Sequence, residues 1–164
     1  MKILVLSDSH GELKYMRQHI RSVRPDCVVN LGDFYEDGKL LEKENPGTPF
    51  YQVAGNCDRY RCPEGAPETI CCSVGGVLLY MTHGHRQGVK LGLEALVAQA
   101  RARGAAAALY GHTHVPDRRQ IGGLWLVNPG SCRSYGGTAC VIEIENGTIQ
   151  DCRIITQNTL EETL

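Results

Sequence analysis

Seven side chains of related chemistry stand at the ends of five short apolar runs. KILVLS leads into Asp8, Ser9, His10 and Gly11, and VVNL leads into Gly32 and Asp33. YQVA leads into Gly55 and Asn56, and LLYMT leads into His83, Gly84 and His85. AALY leads into Gly111, His112, Thr113 and His114. Asp8, His10, Asp33, Asn56, His83, His112 and His114 together offer carboxylate oxygen, amide oxygen and imidazole nitrogen. That is too many donors for one ion and suits two ions sharing a bridging carboxylate. Nitrogen and oxygen donors without thiolate suit Mn, Fe, Co, Ni or Zn better than Mg or Ca.

Position strengthens the case. In open α/β sheets, ligands bind at the carboxyl ends of strands. A Gly at each exit lets the backbone turn sharply and come close to a bound group. Five of the six His fall in these exits, which scattered core or surface His would not do. Each piece also has a plainer reading. Asp8-x-His10 could cap a helix at residue 12, and Gly32-Asp33 could be a turn. His83 or His85 could be a hydrogen-bonded core residue. His112 and His114 would alternate faces in a strand, so both converge only if the chain is already in a loop. All of these must hold at once to remove the site, so convergence is the stronger reading. Asp58 reads as support for a neighbouring ligand. His85 meets either substrate or water. His19 falls off its helix's apolar stripe and reads as a solvated surface residue.

The elements that must position these groups are legible. KILVLS is a continuous run of the kind that a strand buried on both faces requires. Leu13, Met16, Ile20 and Val23 form one helical stripe over 12–23, which Pro25 ends. CVVNL is a second strand, so the first unit is β-α-β, parallel and right-handed. A short helix over 36–44 precedes Pro46, and FYQVA over 50–54 is a third strand. The segment 62–69, CPEGAPET, is a loop. ETICCSV and VLLYMT flank Gly75-Gly76 as a hairpin, and RRQI and LWLV flank Gly122-Gly123. VIEIE and TIQDCRII flank Asn146-Gly147, the strongest hairpin signal in the chain. Residues 89–103 have helical spacing with Gly104 as the cap, and AAAALY over 105–110 reads as a buried strand. The expectation is one domain over 1–164, a parallel N-terminal half joined to an antiparallel C-terminal half. Two packed mixed sheets flanked by helices would accommodate it.

Composition sets outer bounds. A chain of 164 residues with 42% hydrophobic and 21% charged residues fits one soluble domain with a sizeable core. A net charge of −1 gives no overall steering to nucleic acid or anionic membrane. Local basic patches remain at Arg59 and Arg61 and at Arg118 and Arg119. The first five apolar residues are too few for a signal peptide, and no run is long enough to span a bilayer, so a cytoplasmic protein is expected. The eight Cys contain no C-x-x-C pair, which argues against a zinc knuckle. They are expected to be reduced, with Cys71 and Cys72 facing opposite sides of a strand.

The five motifs in order resemble the calcineurin-like metallophosphoesterase family, whose pattern is D-x-H, G-D, G-N-H-D/E, a lone His, and G-H-x-H. The resemblance spans residues 8 to 114, and NPGS at 128–131 is similar to the family's small bacterial and archaeal phosphodiesterase branch. It implies a pair of mixed sheets flanked by helices, and a first metal on Asp8, His10, Asp33 and His114. A second metal on Asp33, Asn56, His83 and His112 would share Asp33 as the bridge. It implies a phosphoric diester hydrolase with catalytic candidates Asp33, Asn56, His83, Asp58 and Cys57. Two divalent ions, Mn2+ first and Ni2+, Co2+, Fe2+ or Zn2+ as alternatives, would clamp a phosphoryl group while a hydroxide they hold attacks in line.

Cys57 departs from the wider pattern. It stands where many members have His, and a neutral thiol is a weaker donor without imidazolium charge. The small phosphodiesterase branch also carries Cys there. Three readings stay open for it: a buried structural thiol, a weak hydrogen-bonding group near the phosphate, or a redox-sensitive site. The expected partner is a small phosphodiester, with no membrane and, given the near-zero charge, no nucleic acid; a homo-oligomer is left open. A phosphomonoesterase or nuclease of the same family, or a non-catalytic interaction scaffold with this fold, as in the retromer coat, are the alternatives.

Overall fold

Residues 1–60, 62–133 and 137–161 are described by a computed structural model. Arg61, and with it half of one expected basic patch, lies outside the described residues. Among the described residues, ten strands form two five-stranded sheets. The first holds β1 (Lys2–Leu6), β2 (Cys27–Asn30), β3 (Phe50–Gln52), β9 (Ala139–Glu145) and β10 (Thr148–Ile155), in the order β10-β9-β1-β2-β3. The second holds β4 (Thr69–Val74), β5 (Val77–Thr82), β6 (Ala107–Leu109), β7 (Asp117–Ile121) and β8 (Leu124–Asn128), in the order β4-β5-β6-β8-β7.

The expected division into a parallel and an antiparallel half is corrected. Each sheet has a parallel centre, β1-β2-β3 in one and β5-β6-β8 in the other. Antiparallel strands close the remaining edges, β9-β10 on the first sheet and β4 and β7 on the second. The C-terminal hairpin returns to lie against β1, because its apolar residues complete the core that β1 begins. Ile3 and Val5 of β1, Cys140 and Ile142 of β9, and Leu79, Met81, Leu109 and Val127 of the second sheet share the central layer. The alternate residues Leu4 and Leu6 face outward onto α1 (Leu13–Val23) and α2 (Tyr35–Glu44) through Met16, Ile20 and Leu41. Tyr80, Ala108 and Leu126 meet Leu96 and Ala100 of α3 (Glu94–Ala102). A short α4 (Gln157–Glu161) ends the described chain. This layering explains why β1 reads as apolar at nearly every position: both of its faces are covered.

Three two-residue turns pair left-handed residues, as tight hairpins demand. They are Gly75-Gly76 (φ 59° and 83°), Gly122-Gly123 (52° and 80°) and Asn146-Gly147 (51° and 71°). Cys71 packs toward α3 and Cys72 toward the inter-sheet core, on opposite faces as expected. The helix expected over 89–103 forms only from Glu94 to Ala102. Gly88 takes φ 63° and Gly92 follows, so the stretch before α3 is a run of turns that leaves Leu91 97% exposed.

His19 is also corrected. It is 1% exposed, and its Nε2 donates to the Gly137 carbonyl at 3.0 Å. It lies three residues after Met16, on the flank of the stripe, and a segment far along the chain covers that flank. Burial pushes its pKa down, only partly opposed by the Gly137 carbonyl. The unfolded chain therefore binds this proton more readily than the folded one. His19 should support the fold fully above the ordinary histidine value of about 6.5. That support should fade as pH falls below this value. Urea unfolding across pH 7 to 5 should show a shallower acid-side loss for His19→Gln than for the native chain; equal slopes would sink the idea.

Candidate metal centre

All five strand exits meet at one edge of the two sheets. The first sheet contributes Asp8, His10, Asp33 and Asn56, and the second contributes His83, His112 and His114. One ligand atom from each of Asp8, His10, Asp33 and His114 lies within 4.8 Å of the others. His114 Nε2 stands 3.0 Å from Asp8 Oδ1 and 3.3 Å from His10 Nε2. His10 Nε2 is 3.8 Å from Asp33 Oδ2. On the other side, His83 Nε2 is 3.4 Å from Asp33 Oδ1 and 3.1 Å from Asn56 Oδ1. The His112 ring lies 5.0 Å from that of His83, centre to centre. Asp33 thus turns one oxygen to each group.

The surroundings fix these atoms in a coordinating state. Nδ1 of His83 donates to the Leu31 carbonyl at 2.8 Å, which leaves Nε2 as the lone-pair nitrogen. Burial pushes His83 down to about 4, so the imidazole is neutral at neutral pH. Burial pulls the Asp33 carboxyl upward, but His83 and the Cys57 N–H, which donates at 2.9 Å, hold it below its ordinary range. Asp8 is raised to about 6 by burial, against hydrogen bonds from the Ser7 hydroxyl and the His112 N–H to Oδ2. Among the described residues its buried Oδ1 finds no hydrogen-bond donor, although His114 Nε2 is near. A buried carboxylate oxygen facing imidazole nitrogens without a shared hydrogen is costly. A divalent cation would relieve it, and the donor set, carboxylate and imidazole with one amide, fits such an ion.

Backbone strain marks the same places. Asp8 (φ 55°), His10 (47°), Asp33 (54°), His112 (69°) and His114 (61°) all take the left-handed conformation. Each costs on the order of 1–2 kcal/mol in a residue with a Cβ. Residues 111–114 are outside any strand, which is how His112 and His114 reach one site. Asp8 is not a helix cap, since Glu12 precedes α1. Glycines permit the closest approaches. A Cβ on Gly55 would strike Asp33, and one on Gly111 would strike Ser7 and Asp8.

Asp58 was expected among the catalytic candidates and as support for a neighbouring ligand; its hydrogen bonds make it a clamp between two loops. It is fully buried, and its two oxygens accept the N–H groups of Phe34 and Tyr35 at 2.8 Å and of Gly55 at 2.7 Å. It ties the loop of Asp33 to the loop of Asn56. Cys57 is exposed, which removes the buried structural reading. Partial desolvation and the Asp33 carboxylate push its thiol up to about 11, so it keeps its proton and is a poor redox nucleophile. Asn56 Nδ2 lies 3.4 Å from its sulfur. His85 sits beside His83 and His112, at ring separations of 5.4 and 6.1 Å.

Three positioning residues were not foreseen. Asp37 Oδ2 accepts the Ser9 hydroxyl at 2.6 Å and the Gly11 N–H at 2.9 Å, anchoring the His10 loop to α2. Asn128 donates to the Gly111 carbonyl and the Thr113 hydroxyl, each at 3.0 Å, and Ser131 donates to the Asp8 carbonyl at 2.8 Å. NPGS, noted in the sequence only as a resemblance, thus braces two of the exits. Nothing in the spacing of Asp37 could have revealed its part.

Comparison with known proteins follows this geometry. A model of the calcineurin-like phosphoesterase superfamily domain matches residues 1–147. The chain belongs to that superfamily. A probable metallophosphoesterase of Bacillus subtilis is 31% identical over 138 residues, covering 81% of this chain and 76% of that one. A phosphodiesterase of Methanocaldococcus jannaschii is 27% identical over 154 residues, covering 82% and 86%. A solved structure from Streptococcus pneumoniae, described as a predicted phosphoesterase, superposes with TM-score 0.78 at 28% identity, covering 96% and 90%. The phosphoesterase fold is also shared by zinc-bound Vps29 of Entamoeba histolytica, at 20% identity and TM-score 0.73 over 95% and 99%. That likeness concerns the fold alone. No helix among the described residues is long and apolar enough to cross a membrane.

If Asp58 is the clamp between two ligand loops, Asp58→Ala leaves three buried N–H groups without their acceptor. It should lower unfolding stability by about 2–4 kcal/mol, measured by urea titration. A loss below about 0.5 kcal/mol would mean that other contacts hold the loops.

Proposed function

We propose that the chain is a metal-dependent phosphodiesterase that hydrolyses small diesters at a dinuclear centre. Asp8, His10, Asp33 and His114 would hold one divalent cation, and Asp33, Asn56, His83 and His112 a second. The observation that carries the reading is the division of Asp33, with Oδ2 facing His10 at 3.8 Å and Oδ1 facing His83 at 3.4 Å. When bound, such cations supply Lewis acidity and an activated water for hydrolysis of a phosphate ester. Mn2+ is the first choice, with Ni2+, Co2+, Fe2+ and Zn2+ as alternatives for the same donors.

The chain's own groups do the rest. Asp33 and His83 are held in anionic and neutral states respectively, ready to coordinate. Asn56 adds an oxygen without adding charge. Cys57 offers only a weak S–H donor beside Asp33, so a departing oxygen gains little help there. Diesters with good aryl leaving groups should therefore react faster than alkyl diesters. The phosphodiesterase from M. jannaschii supports the diester over a monoester. A non-catalytic scaffold is less favoured, because five strained ligand backbones serve no purpose on a surface used only for docking.

The test is activity of metal-stripped protein with each metal restored, against chromogenic mono- and diesters. Mn2+ should restore the most activity, with the diester preferred. Asp33→Ala and His83→Ala should each lower turnover by more than about a hundredfold with an unchanged far-UV spectrum. Full turnover by folded His83→Ala, or metal-independent hydrolysis, would refute the assignment.

A further inference from the structure

A cavity of about 600 Å³ opens beside Asn56, on the side of the site away from His10. Gly55 and Asn56 form its inner wall, His85 and Arg86 one flank, and the 62–68 loop the other. The loop is anchored. Ala54 donates its N–H to the Pro67 carbonyl at 2.8 Å, Cys62 to the Asp58 carbonyl at 3.1 Å, and the Thr82 hydroxyl to the Glu68 carbonyl at 3.2 Å. The outer wall is an ion pair, Arg86 Nη2 to Glu68 Oε1 at 2.7 Å with a second contact through Nε. The cavity is therefore shaped before anything binds.

Its chemistry is mixed in sign. Arg59 and Arg86 face the space together with Glu64 and Glu68. His85 lines it too, and Nδ1 of its ring is buried without a hydrogen-bond partner among the described residues. The apolar part of the lining comes from small side chains, Ala54, Pro63 and Ala66, and among the described residues no Phe, Tyr or Trp lines the space. The one ring among the described lining residues is the His85 imidazole, a small surface for an aromatic group to stack on. An anionic group would meet two carboxylates, and a cationic group two guanidinium groups. Hydroxyl groups suit both, since each donates to carboxylate and accepts from guanidinium or imidazole.

We infer that this cavity seats one ester arm of the substrate, and that the arm is a neutral, hydroxyl-rich group of sugar size or larger. The inference rests on the phosphodiesterase reading, with the phosphate at the ligands described above. It goes beyond that reading by naming what the phosphate carries. Arg59 and Glu64 are the specificity-determining residues, because Arg86 and Glu68 are already committed to each other.

The test uses product monoesters, which place phosphate at the centre and one arm in the cavity whichever arm departs. Calorimetric titration of the Mn2+-loaded protein should compare inorganic phosphate, methyl phosphate, phenyl phosphate and ribose 5-phosphate. Ribose 5-phosphate should bind about tenfold tighter than methyl phosphate, the yield of one or two added hydrogen bonds. Phenyl phosphate should gain less than about threefold on the same argument. In the double variant Arg59→Ala, Glu64→Ala the ribose-to-methyl ratio should fall toward one. A ratio unchanged in the variant, no ribose preference in the native chain, or a phenyl preference as large would each overturn the proposal while leaving the phosphoesterase reading intact. Failure of inorganic phosphate itself to bind would overturn both.

Discussion

The architecture answers one electrostatic difficulty: a group of acceptors that face one another around two buried carboxylates. Asp8 Oδ1 is buried beside His114 Nε2, and Asp33 sits between His10 and His83. Left to itself such a cluster would relax apart, by rotamer change or by opening its loops. It persists because every element around it is tied. Asp58 holds two loops by three N–H donors, Asp37 holds a third, and Asn128 and Ser131 hold the last against the first. The left-handed ligand residues show how far the backbone has been bent to aim these groups. Pre-organisation of this kind is what a cation site requires, since ligands that must be gathered at the moment of binding weaken it.

Much of this was legible in the chain before any coordinates. The seven ligand-type residues follow apolar runs, and strand exits at one sheet edge bring them together without any need to know loop detail. Three hairpins were announced by Gly-Gly and Asn-Gly pairs, whose backbone freedom has a local cause. What escaped has a common physical reason. His19 is buried by a residue 118 positions away, so no helical period could show it. Asp37 looks like any surface carboxylate until the Ser9 hydroxyl and the Gly11 N–H are brought to it. The start of α3 was misplaced because apolar spacing persists through Gly88 and Gly92, where backbone freedom overrides it. The division into a parallel and an antiparallel half failed for a similar reason: β9 and β10 are an evident hairpin, but the sheet they join is decided by which exposed edge their apolar face completes.

The cysteine at position 57 ties fold and chemistry in another way. Its side chain was the natural point of interest, yet its backbone N–H also donates to Asp33, beside the thiol. The fold needs a residue there for its amide, and the side chain is free to vary in acidity and size. A position where the main chain does the structural task is one where the proton-donating group can change without dismantling the site.

The division of the ligands between the two sheets has a thermodynamic meaning. Asp8, His10, Asp33 and Asn56 leave one sheet, and His83, His112 and His114 leave the other. The layers otherwise meet mainly through apolar packing, which resists separation but has little directional preference, with a few hydrogen bonds across them such as that from Arg118 to the Cys152 carbonyl. A cation held by both sides acts as a rivet at one end of the sandwich, and it engages only the registered arrangement of the sheets. Its affinity and the cohesion of the inter-sheet core are therefore linked quantities. On the proposed ligand set, a core substitution far from the ligands would surface as weaker ion retention, and ion concentration would shift the melting point of the domain.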